Sequence, residues 1–355
     1  MKKILLILSG AGIFLSMSAQ PRLVQPNFLA GGIGDAQKLL TAYVSPWANM
    51  FGASLSGGWY NTAKPHKLGG FDLTVTTNIA VTPKADRAFD VSTLGLQNLQ
   101  AHAGESTTSQ TIAGKWKDGP SMDILDNSGN ILKENAFTMP KGSLMSFTIL
   151  PMAQVGIGFI KGTEFMARYC PPLAIGKSGT LDLWGVGMKH SLMQYLPGEK
   201  LIPLDVSLMA GYTQFRSRAG INYKPDYFTY DPALEDLFND QKMEMKFKVL
   251  TANLLISTTL PIVNVYGGVG YMWNNANFKM TGHYPMPDMT FVDPLNVNSV
   301  NDDVKVDPVD MEIKSKSGLR YTLGFRLKFG VLTLHADYTY AYYSMVTTGL
   351  GISFR

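Results

Sequence analysis

The sequence predicts an all-β protein, a transmembrane antiparallel β-barrel, on three observations: an export signal at the N-terminus, apolar composition without apolar runs, and long alternating strands at the C-terminus. Lys2 and Lys3 form a basic n-region, and Ile4 to Leu15 an apolar h-region too short to span a bilayer. Ser16-Met17-Ser18-Ala19 supplies small residues for cleavage after Ala19, so residues 1–19 read as a signal peptide. Hydrophobic residues make up 45% of the 355 and charged residues only 16%, against roughly 25% charged in soluble domains. After residue 19 no apolar run approaches the roughly 18 residues of a spanning helix, so the apolar residues must alternate with polar ones. The lipid bilayer is therefore the expected partner, and the location is the outer membrane of a Gram-negative cell. The net charge of +4 includes Lys2 and Lys3 and gives no reason to expect nucleic acid. Cys170 is the single cysteine, which excludes an intrachain disulfide.

The first element after the signal is helical. Asp35 is placed to cap a short helix whose Ala36, Leu39, Leu40 and Tyr43 share a face, ended by Pro46. Such a helix is too short to be stable alone in water, so its stripe needs a partner surface. Residues 20–50 are accordingly read as a plug, with Leu39, Leu40 and Tyr43 as its contacts, and residues 51–355 as the barrel. The plug is expected to dock within the lumen or just beneath it.

The strands follow by their period of two. Phe71, Leu73, Val75, Ile79 and Val81 oppose Asp72, Thr74, Thr76 and Asn78; Ala153, Val155, Ile157 and Phe159 oppose Gln154, Gly156 and Gly158. Val206, Leu208, Ala210 and Tyr212 oppose Asp205, Ser207, Gly211 and Thr213, and Val263, Val265, Val269, Tyr271 and Trp273 oppose Asn264, Tyr266, Gly268 and Gly270. Weaker strands fall at 51–60, 163–169, 180–190 and 243–257, the last with an apolar face that switches near Leu250 and so predicts a bulge. The clearest strands are the last three. Leu319, Tyr321, Leu323, Phe325, Leu327 and Phe329 share one face, then Leu332, Leu334, Tyr338 and Tyr340, then Val346, Leu350, Ile352 and Phe354. Short connections at 160–162, 258–261 and 329–330 alternate with long ones at about 94–145, 217–242 and 276–315, provided one further strand lies near 86–93. That gives twelve strands, or fourteen if a long loop holds another hairpin, with both termini and the short turns periplasmic.

A helical segment followed by Gly58-Trp59-Tyr60-Asn61-Thr62-Ala63-Lys64-Pro65-His66-Lys67, read as a hairpin, resembles a group of uncharacterised Gram-negative outer-membrane barrels. That resemblance covers most of the chain and implies the barrel fold without an activity. In architecture alone, a short plug ahead of a barrel is similar to the long-chain fatty-acid transporters of the FadL family.

Luminal binding candidates come from strand parity near the tight turn at Gly330. Arg326, His335 and Asp337 lie on the polar faces of neighbouring strands, and Arg320 and Lys328 extend the basic stripe, partly offset by Asp182 and Asp205. The preferred reading is an interior network filling a small barrel; the alternative is a charged constriction or ligand contact. No catalytic set is predicted. His190 and Ser191 are adjacent, so on a strand their side chains point to opposite faces, and His66, His102 and His283 fall in polar loops. No histidine pair has metal-ligand spacing, so neither metal nor cofactor is expected. Asp302, Asp303, Asp307 and Asp310 lack the glycine-centred spacing of a calcium loop and read as a solvated acidic loop. Tyr223, Tyr227, Phe228 and Tyr230 make another loop aromatic. The expected function is passive passage or capture of a small, apolar-leaning molecule. The alternative is a non-transporting surface barrel acting through its loops, and the oligomeric state is left open.

Overall fold

The structure, a computed structural model, describes residues 26–143, 146–175, 179–195, 203–222, 232–285, 304–313 and 315–354. The signal peptide, the aromatic loop residues from Tyr223 to Tyr230, and Asp302 and Asp303 lie outside the described residues. Ten strands close a barrel: β1 (Phe71–Val81), β2 (Phe147–Gly158), β3 (Thr163–Ile175), β4 (Gly179–Ser191), β5 (Leu204–Gly220), β6 (Lys242–Thr258), β7 (Val263–Thr281), β8 (Gly318–Phe329), β9 (Leu332–Tyr340) and β10 (Met345–Phe354). Each pairs antiparallel with its chain neighbours, and β1 closes the seam against β10 from Phe71↔Phe354 to Ala80↔Met345. The short turns 159–162, 259–262 and 330–331 lie at one end, called here the turn end, together with the start of β1 and the end of β10. Gly330 makes the tightest of them with φ +61°, a conformation glycine adopts without strain.

The count is ten rather than twelve because two expected strands are not wall. Residues 51–56 end a helix, α1 (Gly32–Ser56), with 57–60 leaving it, and Ala88–Asp90 pairs with Thr108–Gln110 in a small separate sheet. Alternation of Phe51, Ala53 and Leu55 with small residues mimics a strand, yet Leu40, Val44, Trp47, Phe51 and Leu55 also recur at helical spacing. Pro46 does not end the helix but sits inside it, next to Ser45, whose hydroxyl donates to the Thr41 carbonyl. Asp35 does not cap α1 either. Its carboxylate accepts the backbone N–H groups of Gln97 and Asn98 at 2.9 and 2.7 Å, tying the first helical turn to the β1–β2 connection.

The wall is apolar outside and polar inside, as the alternation requires. On β10, Val346, Leu350, Ile352 and Phe354 are exposed while Thr347 and Ser353 are buried. The switch near Leu250 is not a bulge, since the register of β6 with both neighbours is continuous. Instead both faces change surroundings at that height. The outer face of β6 runs Lys242, Glu244, Lys246, Lys248 and then Leu250, Leu254, Ile256, while its inner face runs Met243, Met245, Phe247, Val249 and then Thr251, Asn253. Its partners change at the same level: Tyr212 and Trp273 face Leu250, whereas Gln214 and Asn275 face Lys248. A membrane boundary runs here, marked by Trp184, Tyr212 and Trp273 on the outer face. From it to the turn end β4, β5, β6 and β7 run about eight to eleven residues, close to the length a tilted strand needs to cross. Asp182 is thus not luminal; it lies on the outer face above the boundary, ion-paired with Arg216 at 3.2 Å.

Beyond the boundary the barrel continues as a water-facing cup closed by the β1–β2 connection. In that cap Leu99–Ala101, Ser121–Leu125 and Ile131–Thr138 form a second small sheet. The inner faces of the long strands, the cap and α1 share one apolar core that includes Phe28, Leu39, Leu40, Tyr43, Phe137, Phe215, Phe247 and Phe278. Within the cap, His102 Nδ1 lies 2.9 Å from Asp123, whose carboxylate also accepts the Asn135 N–H. The bond to Asp123 raises the His102 pKa above its ordinary value of about 6.5. The contact therefore stabilises the cap fully below that value and is lost as pH rises through the raised one. Histidine-detected NMR is expected to show His102 titrating above an ordinary imidazole, with Asp123→Asn bringing it back; an unshifted His102 in the folded wild type would contradict this.

Candidate functional site in the lumen

At roughly 1.5 Å per residue the 25-residue α1 is about 37 Å long, enough to run from the cap deep into the barrel. Its first turns lie in the cap at the loop end, and its last turn lies in the polar lumen, so the chain enters from the end opposite the C-terminal strand end. This differs from the expectation of both termini at the turn end. A helix C-terminus leaves carbonyls unpaired and carries about half a negative charge; here the Ser56 hydroxyl serves the Ala53 carbonyl and the wall supplies donors to the next three. Asn78 Nδ2 donates to the Ser54 carbonyl at 2.6 Å, Thr213 Oγ1 to Leu55 at 3.3 Å, and Arg320 Nη1 to Ser56 at 2.8 Å. Arg168 donates to Leu55 and Gly57 through Nη1 and Nη2 at 3.2 and 2.7 Å, and its guanidinium stacks 3.7 Å from the Trp59 ring centre.

From Gly57 the chain descends to the turn end without forming a hairpin, so the Gly58–Lys67 motif is a luminal strap rather than wall. Trp59 lies flat on Gly187 and Gly211, cross-strand partners whose added Cβ atoms would stand 2.8 and 2.5 Å from its ring. These strand glycines make room for the strap. Lower down, the Ala63 N–H and Thr62 hydroxyl meet Ser257 Oγ at 3.0 and 3.2 Å, and Ser207 Oγ donates to the Ala63 carbonyl.

His66, expected in a solvated loop, is buried at the foot of this strap. Its Nδ1 and backbone N–H both lie 2.8 Å from Glu164 Oε2, its Nε2 lies 3.1 Å from Ser353 Oγ, and Lys189 Nζ lies 3.1 Å from Glu164 Oε1. Ser353, His66 and Glu164 have the hydrogen-bond order of a hydrolase relay. Yet Ser353 is 2% exposed and the adjoining cavity measures about 10 Å³, which leaves no space for a substrate. Ligand atoms of His66, Asp72 and Glu164 lie within 4.8 Å of one another, but both Glu164 oxygens are already engaged by His66 and Lys189. The arrangement is built as a latch holding the strap to the wall. Glu164 and Lys189 sit at inward parity on their strands and were legible to that extent; His66 carried no periodic signal.

The luminal candidates are placed as follows. Arg320, Arg326, His335 and Asp337 are buried inside the barrel and Lys328 is half-buried near the turn end. Arg326 and His335 are cross-strand neighbours, and Asp337 accepts from Tyr266 Oη at 2.8 Å rather than from an arginine. Of the plug contacts, Leu39, Leu40 and Tyr43 are buried, Tyr43 Oη donating to the Lys141 carbonyl of the cap at 2.8 Å. Sequence reading put Asn78 and Gln154 on polar strand faces without giving them a role and did not single out Arg168; all three face inward.

One cavity of about 140 Å³ lies between α1 and the wall near the membrane boundary. Ala53, Met272 and Met345 give it apolar sides, and Ser56, Arg320 and Thr339 give it a polar floor. It adjoins the place where β7 changes partner, from Met272↔Gly318 on β8 to Ala276↔Ile313 on the short strand Val309–Ile313. Its mouth is ringed by Lys316, Tyr342 and Tyr343, all bonded to the Asp86 carboxylate.

A closed barrel of ten antiparallel strands with an apolar belt outside and a helix inside is the architecture of a transmembrane β-barrel. The chain belongs to the family of unknown function DUF6588, which matches residues 1–354. No curated protein matches it. Among solved structures it is similar to Ail, the attachment invasion locus protein of Yersinia pestis, with 9% identity, 81% of this chain and 98% of that one covered, and a TM-score of 0.24. It is likewise similar to the outer membrane protein OprG from Pseudomonas aeruginosa (10% identity, 82% and 98% covered, TM-score 0.29) and the Pseudomonas putida toluene transporter TodX (8%, 88% and 97%, TM-score 0.28). Likenesses this low carry nothing about function.

Proposed function

We propose that this protein is an outer-membrane barrel, its loop end facing outward, that captures a small molecule between plug and wall and passes it on when the plug shifts. The observation that carries this reading is the 140 Å³ cavity, a volume comparable with the roughly 150 Å³ that accommodates benzene in an engineered protein cavity. It lies at the one level where plug, wall and outside solution meet. The plug is held by hydrogen bonds and packing, not covalently, so its displacement opens the axis of the barrel.

A lock tests this. Ser54 Oγ and Thr148 Oγ1 are 2.6 Å apart, so paired Ser54→Cys and Thr148→Cys substitutions in a Cys170→Ser background should bridge α1 to β2. In proteoliposome swelling with arabinose, glycine and benzoate, the oxidised protein is expected to be silent and the reduced protein permeable. Equal rates in the two states, zero included, would overturn plug-dependent passage. That result would favour a surface barrel acting through its cap, a reading that the cap's own folded sheets support.

A further inference from the structure

We infer that the cavity beside α1 is a site for a small organic carboxylate with an apolar body, its carboxylate held by Arg320. The inference rests on the capture reading and supplies its ligand class. Arg320 is 3% exposed and lines the cavity; its Nη1 serves the Ser56 carbonyl and hydroxyl, while its buried Nε has no acceptor in the protein. A buried guanidinium N–H left without an acceptor is costly, and a carboxylate is the acceptor that suits it best.

Charge points the same way. Arg168 and Arg320 both end on the neutral carbonyls of consecutive residues at the helix terminus. Two positive charges thus meet about half a negative one at the helix terminus, and Asp337, the carboxylate that acts on Arg320 through space, takes its hydrogen bond from Tyr266 and not from the guanidinium. Among the described residues the arginine–carboxylate pairs, Arg216–Asp182 and Arg218–Glu244, lie on the outer face of the wall instead. The carboxylates nearest the cavity are engaged elsewhere: Asp337 takes Tyr266 Oη, and Asp86 at the mouth takes Lys316, Tyr342 and Tyr343. The rest of the lining is mainly apolar surface, with Ala53, Met272 and Met345 beside the polar groups of Asn49, Ser317 and Thr339, which suits a ligand with an apolar body and a polar head. The volume limits that body to about one six-membered ring.

Benzoate, benzyl alcohol and benzylamine are probes of one size and three charge types. Calorimetric titration of the full chain in detergent near neutral pH is expected to show benzoate binding about tenfold or more tightly than benzyl alcohol, and benzylamine not at all. Arg320→Gln should abolish the preference and leave benzyl alcohol binding. Because Arg320 also caps α1, docking of the helix in that variant is checked by the yield of the Ser54→Cys/Thr148→Cys cross-link, which Arg168 and Asn78 should maintain. Ala53→Leu, which fills the cavity without touching Arg320, should remove binding of both ligands. Equal affinity for benzoate and benzyl alcohol, undiminished benzoate binding in a docked Arg320→Gln protein, or no binding of any probe would each overturn the carboxylate site. The swelling of the locked and reduced protein reads plug movement separately, so capture and passage can stand when the carboxylate preference falls.

Discussion

Leu254→Lys is expected to prevent most of the chain from inserting, whereas Lys248→Leu, on the same outward face of the same strand, is expected to leave the folded yield unchanged. Leu254 is half-exposed on a wall that only lipid covers, midway between the aromatic belt and the turn end, and its neighbours across the seam, Leu208 and Val269, are lipid-facing too. A lysine near the bilayer midplane costs about 2–4 kcal/mol in a barrel, a large share of the roughly 5–15 kcal/mol that separates folded from unfolded protein. Lys248 stands above the belt opposite Gln214 and Asn275, where water solvates either side chain. Heat-modifiable migration after refolding into vesicles, together with urea unfolding, measures both variants. Equal damage from the two would place the membrane boundary elsewhere and remove the explanation given for the face switch at Leu250.

That switch shows what a period of two carries and what it does not. Alternation says which residues share a side, and β1, β8, β9 and β10 were legible to within one residue on that basis. It does not say what the side faces. On β6 the inner face is apolar where it meets α1 and polar below, and a continuous strand therefore looked like two out of phase. The same limit explains Asp182, correctly on a polar stretch but on the outside. The strand count failed for a related reason: Phe51 to Ser56 alternate large with small, and the small residues serve a helix pressed close to the wall. An added Cβ at Gly52 would collide with the Asn274 side chain. Arg320 was legible as luminal, but its partner was not, because a helix carbonyl 264 positions away leaves no local trace. His66 was hidden for the same reason: a histidine in a strap with no secondary structure shows no face to read.

In intact cells, Ile33→Cys is expected to react with a membrane-impermeant maleimide, while Leu68→Cys is expected to react only after the outer membrane is permeabilised, each in a Cys170→Ser background. Both positions are exposed, Ile33 at 37% and Leu68 at 69%, so access rather than burial decides the outcome. Ile33 is in the first turn of α1, beside the cap: the neighbouring Gly31 lies against Leu99, and Asp35 holds Gln97 and Asn98. Leu68 is at the foot of the strap, next to Gly69, whose N–H donates to the Gly158 carbonyl at the turn end at 3.3 Å. Fewer than forty residues therefore cross the whole barrel inside the lumen, from the loop end to the start of β1. The closing seam joins β1 to β10, the last strand of the chain, so α1 and its strap must already lie between the wall strands when that seam zips. A plug threaded in this direction can be drawn outward without unzipping β1, because the bonds from Gly57 to His66 that hold it to the wall each involve a side chain. Labelling of Leu68→Cys but not Ile33→Cys in intact cells would invert the molecule in the membrane, and equal labelling of both would mean that α1 is not threaded at all.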